Sequence, residues 1–283
     1  MNRRDFMQGA ALTTASLALR TQPASRAFQS GYVGKSRIYY EVHGDPKGKP
    51  FFLGYPIMAS YAEIFGDRMA PIKTGYLNGL TDRYRVLLVD YPTIGKSGTT
   101  PVTELTADRV CADLLSVADA AGFKRFAYGG FLWGAMNGLL LASRSKRITA
   151  LVCGCWPPLG APYREMYEGT RESAPDPPAR AMPLLRDKKQ YAQWVTYHQS
   201  LLGWPEAQAV ARIRCPRLAL YAAKTFLQVG SHPLTLSDTL RARRPELEKA
   251  GWRVQELADR DTGVMLDPAA ILPPLRAFLD QAS

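Results

Sequence analysis

Short apolar runs separated by helix-length segments constrain the fold of this chain more than any other feature. The runs are continuous rather than alternating in polarity, as is typical of parallel strands that are buried on both faces; they comprise Arg85–Asp90, Arg125–Gly129, Ala150–Cys155, Arg217–Ala222 and Arg253–Leu257. Two earlier strands are predicted at Arg37–His43, which alternates in polarity, and at the short apolar run Phe51–Leu53. Helical patterns lie between or after the strands, at Met69–Leu80, Thr106–Ala121, Trp133–Ser143 and Pro268–Leu279. This alternation predicts an α/β fold with a doubly wound, mainly parallel sheet.

One segment breaks the alternation. Residues 157–210 contain no clear strand and are rich in proline, with helical patterns near Tyr163–Arg171 and Lys188–Leu202. We therefore predict a helical cap at 157–210, inserted into a core formed by residues 31–156 and 211–283.

Recognisable motifs stand at the carboxyl ends of the predicted strands, where doubly wound sheets bind ligands. They are Leu53-Gly54-Tyr55-Pro56, Asp90-Tyr91-Pro92-Thr93-Ile94-Gly95-Lys96-Ser97 and Gly130-Phe131-Leu132-Trp133-Gly134. They resemble the His-Gly-x-Pro loop, the Asp-x-Pro-Gly-x-Gly-x-Ser turn and the Gly-x-Ser-x-Gly nucleophile elbow of the α/β-hydrolase superfamily. Trp156-Pro157-Pro158 and Asp261-Thr262 fall where such proteins open a cap and place the catalytic histidine. The resemblance covers about residues 31–281 and implies an esterase-like α/β-hydrolase sheet with a small helical cap.

The same resemblance assigns the catalytic positions, and the residues there lack the required chemistry. Leu132 stands at the nucleophile position but has no oxygen or sulfur to activate. Thr225 stands at the acid position, and Thr262 stands where a histidine should accept the nucleophile's proton. Leu53 replaces the histidine that commonly precedes the loop glycine. The protein is therefore predicted to be inactive as a triad serine hydrolase.

Part of the family's pocket is expected to persist. The backbone N–H groups of Tyr55 and Trp133 correspond to oxyanion donors, which do not depend on the side chain. Leu132 would line the pocket with an apolar group, which favours a small apolar ligand or substrate. An elbow residue has positive φ, which costs a branched residue about 1–3 kcal/mol. Either Leu132 keeps this strained backbone or the elbow has relaxed.

Other residues could supply chemistry instead. Cys155 could be a thiol nucleophile, and Asp90 or Asp261 could be an acid or base; their structural alternatives are a buried core residue, a turn cap and a loop cap. These residues leave open an active carboxylic-ester hydrolase or a cofactor-free lyase. A third interpretation is a serine hydrolase whose triad was replaced, naturally or deliberately.

The remaining candidates lie in or near the cap. His198 is predicted to be a cap residue with an exposed edge, and His232 to lie in a surface turn. A set of aromatic residues either contacts an aromatic ligand or forms the cap's own small core: Tyr163, Tyr167, Tyr191, Trp194 and Tyr197.

Composition excludes several classes of function. The net charge is +11, but the basic residues are scattered among acidic ones without a nucleic-acid motif, so no nucleic-acid partner is predicted. The chain has 4 cysteines and 3 histidines without disulfide-scaffold or zinc spacing, so neither a metal nor a cofactor is expected. No apolar run is long enough to span a bilayer. Oligomeric state is left open.

The N-terminus carries an export pattern. Arg3 and Arg4 precede a mildly apolar stretch from Gly9 to Leu19, and Ser25-Arg26-Ala27 offers small residues at a cleavage site. This pattern resembles a twin-arginine signal peptide over residues 1–27 and predicts a periplasmic or secreted protein. A cytoplasmic protein with an amphipathic N-terminal helix is the alternative.

Overall fold

A computed structural model describes residues 28–282. Eight strands form the main sheet: β1 (Gln29–Val33), β2 (Ile38–His43), β3 (Lys49–Leu53), β4 (Tyr84–Val89), β5 (Phe126–Phe131), β6 (Ile148–Gly154), β7 (Arg217–Lys224) and β10 (Arg253–Asp261). A separate two-stranded sheet pairs β8 (Phe226–Val229) with β9 (His232–Thr235). The helices are α1 (Tyr61–Phe65), α2 (Ala70–Leu80), α3 (Ala107–Ala120), α4 (Trp133–Arg144), α5 (Tyr163–Ser173), α6 (Ala192–Gln199), α7 (Glu206–Ala211), α8 (Leu236–Lys249) and α9 (Pro268–Gln281).

The main sheet has the order β1-β2-β4-β3-β5-β6-β7-β10. The strands β1, β2 and β4 pair antiparallel, and every later pair is parallel. The apolar runs of β5 and β6 are buried almost throughout because the sheet is covered on both faces. The predicted α/β class and its mainly parallel sheet are confirmed.

Local sequence signals explain where the covering helices begin. Thr106 caps α3 by accepting a hydrogen bond from the Arg109 N–H at 3.2 Å, and the buried face of α3 carries Val110, Leu114 and Val117. Asp267 caps α9 through the N–H groups of its first turn. These caps hold helices against the sheet close to the edge where the motifs lie.

Two strand regions were not predicted from the sequence. The edge strand β1 is mostly exposed and therefore has no buried apolar run. The hairpin β8–β9 is short, half-exposed and contains Pro233, so its sequence is typical of a turn. Since His232 is the first residue of β9, its interpretation as part of a surface turn was incomplete.

Residues 157–210, called the inserted segment below, contain helices α5 and α6 and all but the last residue of α7. They also contain two short 3-10 helices, Ala179–Leu184 and Lys188–Tyr191, and no strand. Together with the hairpin β8–β9 they lie over the carboxyl ends of the parallel strands. No helix among residues 28–282 is both long enough and apolar enough to cross a bilayer. The predicted signal peptide lies outside the described residues.

Candidate functional site

The elbow between β5 and α4 has a strained backbone at Leu132, with φ 50° and ψ −114°. Its flanking glycines are sterically required: a Cβ on Gly130 would lie 2.7 Å from the Gly134 carbonyl carbon, and one on Gly134 would lie 2.5 Å from the Tyr55 oxygen. The Leu132 N–H donates to the Gly154 carbonyl at 2.8 Å. The elbow has therefore not relaxed, although a branched residue occupies it.

A cavity of about 240 Å³ lies above this elbow. Its floor is formed by residues of the elbow and of neighbouring strand ends: Tyr55, Tyr91, Ile94, Leu132, Trp133, Met136 and Trp156. Its roof is formed by the inserted segment and β8: Met166, Thr170, Pro178, Arg180, Ala181, Leu184, Tyr191, Trp194, His198, Leu227, Gln228 and Val229. Most of these side chains are apolar or aromatic. The cavity is therefore shaped for a small, largely apolar molecule.

The aromatic residues of the inserted segment divide between the two roles predicted for them. Tyr191 and Trp194 line the cavity. Tyr197 is fully buried and donates to the Asn137 side-chain oxygen at 2.6 Å, while the Tyr163 ring packs on Trp204 at 5.7 Å between centroids. Tyr191 and Trp194 can thus contact a ligand, Tyr163 packs within the inserted segment, and Tyr197 joins that segment to the core.

The expected oxyanion hole is altered. The Tyr55 N–H donates to the Tyr91 hydroxyl at 2.9 Å, so this donor already has an acceptor; the expectation that it is open to a ligand is corrected. Trp133 is the first residue of α4, and its N–H has no acceptor within the helix. Its ring packs between those of Tyr91 and Tyr197, at 4.6 and 5.1 Å between centroids.

Leu53, at the end of β3, is 1% exposed and packs in the core.

Thr225 and Thr262 come together because β7 and β10 are neighbouring parallel strands that end at the same edge. The Thr225 hydroxyl donates to the Ala222 carbonyl at 2.8 Å. The Thr262 hydroxyl accepts from the Phe226 N–H at 2.9 Å and donates to the Phe226 carbonyl at 2.8 Å. Neither threonine lines the cavity. Both hydroxyls thus form hydrogen bonds to the backbone at the positions where an acid and a base were expected.

The alternative catalytic residues are held in structural roles. The fully buried Asp90 carboxylate accepts from the backbone N–H groups of Ser60 at 2.8 Å and Lys96 at 2.9 Å, and burial raises its pKa. Cys155 is fully buried, and burial raises the pKa of its thiol. Asp261 accepts from the Gly263 N–H at 2.8 Å. None of the three lines the cavity.

The environments of His198 and His232 differ from those predicted from the sequence. His198 is 4% exposed, so the expected exposed edge was wrong; it lines the cavity, and burial lowers its pKa to about 3. His232 contacts the Glu172 carboxylate at 3.4 Å. No cluster of three or more His, Cys, Asp or Glu residues is placed to hold a metal ion between residues 28 and 282.

Arg180 and Gln228 are among the roof residues that sequence reasoning missed. Arg180 lines the cavity and donates to the backbone carbonyl of Gln228, which links the inserted segment to β8. The proline-rich sequence around Arg180 has no periodicity that would indicate its position, and Gln228 lies in a hairpin that resembles a turn.

Comparisons with known proteins agree with this geometry. A family model described as the α/β hydrolase fold matches residues 67–176, which include the Asp90 turn and the elbow. The enol-lactonase of Burkholderia xenovorans LB400 has a TM-score of 0.64 and 17% identity, with 86% of this chain and 96% of that chain covered. This chain has the α/β-hydrolase fold.

Other relatives are also hydrolases of this fold or are named as such. A carboxylesterase structure from the thaumarchaeon Nitrososphaera has a TM-score of 0.65 and 16% identity, with 90% of this chain and 98% of that chain covered. A protein of Agrobacterium fabrum with the provisional name carbamate hydrolase RutD is 25% identical over 185 residues. That match covers 62% of this chain and 66% of the relative, just under two thirds of its length.

Proposed function

We propose that this protein is a non-hydrolytic member of the α/β-hydrolase fold that binds a small, largely apolar molecule in the cavity above Leu132. The observation that carries the proposal is the elbow itself. It keeps the positive φ of 50° that presents a nucleophile in this fold, yet the side chain that it presents to the cavity is a hydrocarbon. An alkyl group cannot form the covalent intermediate of triad hydrolysis.

The neighbouring residues support the same conclusion. The hydroxyls of Thr225 and Thr262 are engaged with backbone groups away from the cavity wall. The one imidazole on that wall, His198, contributes no charge at neutral pH, because burial lowers its pKa to about 3. A wall of aromatic and aliphatic side chains can still bind a ligand through the hydrophobic effect, since binding requires no nucleophile.

An active hydrolase is the second candidate, and the relatives favour it: their names include a carbamate hydrolase, an enol-lactonase and a carboxylesterase. In this chain such an activity would need a group from outside the aligned triad. Cys155, Asp90 and Asp261 do not reach the cavity wall, which makes each a weak nucleophile or base for a ligand bound there.

The first experiment measures hydrolysis and binding together. We expect no hydrolysis of p-nitrophenyl acetate, butyrate or octanoate above the buffer rate and no labelling by a fluorophosphonate probe. The neutral probe 1-naphthol should change the tryptophan fluorescence, because Trp133, Trp156 and Trp194 line the cavity. Saturable ester hydrolysis would overturn the proposal, and a Cys155→Ala variant would then show whether that thiol carries the activity. A failure of 1-naphthol to bind would also overturn it.

Restoring the triad tests the assignment of positions. The combined variant Leu132→Ser, Thr225→Asp and Thr262→His should gain esterase activity over the parent, because the elbow backbone is already in place. A matched control keeps Leu132 and changes only Thr225 and Thr262; it should stay inactive. Equal rates for both variants would show that the aligned positions do not form a catalytic unit.

We also propose that the protein is exported, on the basis of the paired arginines Arg3 and Arg4 and the apolar stretch that follows. Changing both arginines to lysine should keep the full-length protein in the cytoplasm of a bacterial host, as measured by cell fractionation. An unchanged distribution would contradict export by the twin-arginine route.

A further inference from the structure

The cavity wall has an uneven charge. No Asp or Glu occurs among its lining residues, and His198 is uncharged at neutral pH because burial lowers its pKa to about 3. Among the residues between 28 and 282 that line the cavity, Arg180 is therefore the one charged side chain, beside aromatic and aliphatic groups. A ligand that fills this cavity meets a positive charge at one side only.

The Arg180 guanidinium has unused hydrogen-bonding capacity. It donates to the Gln228 backbone carbonyl, and within residues 28–282 it forms no ion pair, unlike the arginines of α8, which pair with Glu246, Glu248 and Glu256. A guanidinium carries five N–H donors in a planar fork that fits a carboxylate with two parallel bonds. Arg180 is an exposed residue on the cavity wall, and most of its fork is open to a ligand that enters the cavity.

A second polar group lies near the same cation. Tyr55 lines the same cavity as Arg180, and burial raises the pKa of its hydroxyl, which therefore keeps its proton at neutral pH. The Tyr55 backbone N–H is already bonded to Tyr91, but no partner for the Tyr55 hydroxyl occurs in the described part of the chain. Arg180 and the Tyr55 hydroxyl can therefore donate to one anionic head group.

The size of the cavity limits the rest of the ligand. An apolar cavity of about 150 Å³ can bind benzene, and this one measures about 240 Å³. The difference leaves space for a short substituent on one ring. Leu132, Trp133 and Trp194 offer apolar contacts to the ring.

We propose that the ligand of this cavity is a small monocarboxylate with one aromatic or similarly sized apolar ring, whose carboxylate binds Arg180 and the Tyr55 hydroxyl. This inference rests on the proposed binding function and adds the chemical class of the ligand. The ring lies against Leu132 of the elbow, and the carboxylate lies between Arg180 of the roof and the Tyr55 hydroxyl of the floor.

The test uses three probes of the same shape: 3-phenylpropanoate, 3-phenylpropanamide and 3-phenylpropylamine. Calorimetric titration of the full chain at pH 7.5 should show that the carboxylate binds about tenfold more tightly than the amide, as expected for one charge-assisted contact. The amine should bind most weakly, because its charge repels Arg180. Raising the salt concentration should weaken binding of the carboxylate and leave the amide unchanged.

Arg180→Gln should remove the preference for the carboxylate without changing affinity for the amide, and Arg180→Lys should keep part of it, since lysine retains the charge but lacks the fork. Tyr55→Phe should weaken carboxylate binding about threefold, the effect of a single neutral donor. The control is Arg164→Gln, because Arg164 is 75% exposed on α5 and lies outside the cavity wall; it should change nothing.

Equal affinities for carboxylate and amide, or a preference that survives Arg180→Gln, would overturn the carboxylate assignment while leaving a non-hydrolytic apolar pocket intact. Absence of binding by all three probes while 1-naphthol binds would also overturn it. Hydrolysis of the aryl esters would instead contradict the proposed function, so the two failures are distinguishable.

Discussion

The floor and the roof of the cavity are built in different ways. The floor consists of motif residues at strand ends, where close backbone contacts such as that between Gly134 and Tyr55 leave no space for a side chain. The roof consists of short helices and the hairpin β8–β9, joined by polar contacts such as those of Arg180 with Gln228 and of Glu172 with His232. The backbone of this fold is thus kept at the elbow, where close packing demands it, although the side chain at Leu132 is a hydrocarbon. Strain at an elbow does not by itself indicate catalysis.

The largest expected effect separates the floor from the roof by stability. Gly134→Ala should destabilise the fold by more than about 3 kcal/mol or prevent folding, because the new Cβ would lie 2.5 Å from the Tyr55 carbonyl oxygen. Urea unfolding followed by circular dichroism measures this. Gly203→Ala is the control: it also has positive φ, 83°, but has no atom within 4 Å of the added Cβ, so its cost should be limited to about 1 kcal/mol of backbone strain. Similar losses for both variants would mean that the floor is not specially packed.

The second expected effect is the pH dependence of stability that follows from the exclusion of water from His198 in the roof. His198 has its pKa lowered to about 3 in the folded protein, against about 6.5 in an unfolded chain. The unfolded state therefore binds more protons between these values, and stability falls as the pH falls from about 6.5 towards 3. The cost should be about 2 kcal/mol at pH 5, since each pH unit contributes at most about 1.4 kcal/mol.

Unfolding of the parent and a His198→Gln variant at pH 8 and pH 5 measures this contribution. The difference in their free energies of unfolding should shift by about 2 kcal/mol between the two pH values. Carboxylates such as Glu41, whose pKa is lowered by His43 and Lys73 despite opposing burial, contribute equally to both proteins and cancel. A constant difference would mean that water reaches His198.

The third expectation concerns the packing of the roof. A Cβ on Gly169 of α5 would clash with the Val229 carbonyl of the hairpin, so Gly169→Ala should separate the two elements. Because few buried groups join them, we expect a stability loss of about 1–2 kcal/mol but a loss of 1-naphthol affinity of about tenfold or more. Retained affinity would show that the hairpin is not needed to close the cavity.

The smallest expected effect concerns the hydrogen bonds of Thr262, which stands at the predicted base position. Thr262→Val should cost about 1 kcal/mol, because it removes both bonds of the hydroxyl to the Phe226 backbone. Thr103→Val, at an exposed position in the 3-10 helix Val102–Glu104, should be nearly neutral in the same chemical denaturation assay. A neutral Thr262 variant would leave that position without a structural role.

The floor could be predicted from the sequence to a large extent. Gly130 and Gly134 fix the register at Leu132, and continuous apolar strands fix the sheet on both sides of it. The roof could not, because Arg180 and the β8–β9 hairpin are positioned by long-range packing of segments without periodicity. Even in the floor, the bond from the Tyr55 N–H to the Tyr91 hydroxyl joins residues 36 positions apart, and no local pattern indicates it.

Above all, we expect the cavity above Leu132 to bind an ester-sized molecule without attacking it. The most direct measurement is rapid mixing of the protein with p-nitrophenyl butyrate, with p-nitrophenolate release and tryptophan fluorescence followed together. We expect a saturable change in fluorescence with neither a burst nor a steady release of p-nitrophenolate above the buffer rate. A burst of product followed by turnover would reveal an acyl-enzyme and would contradict the account.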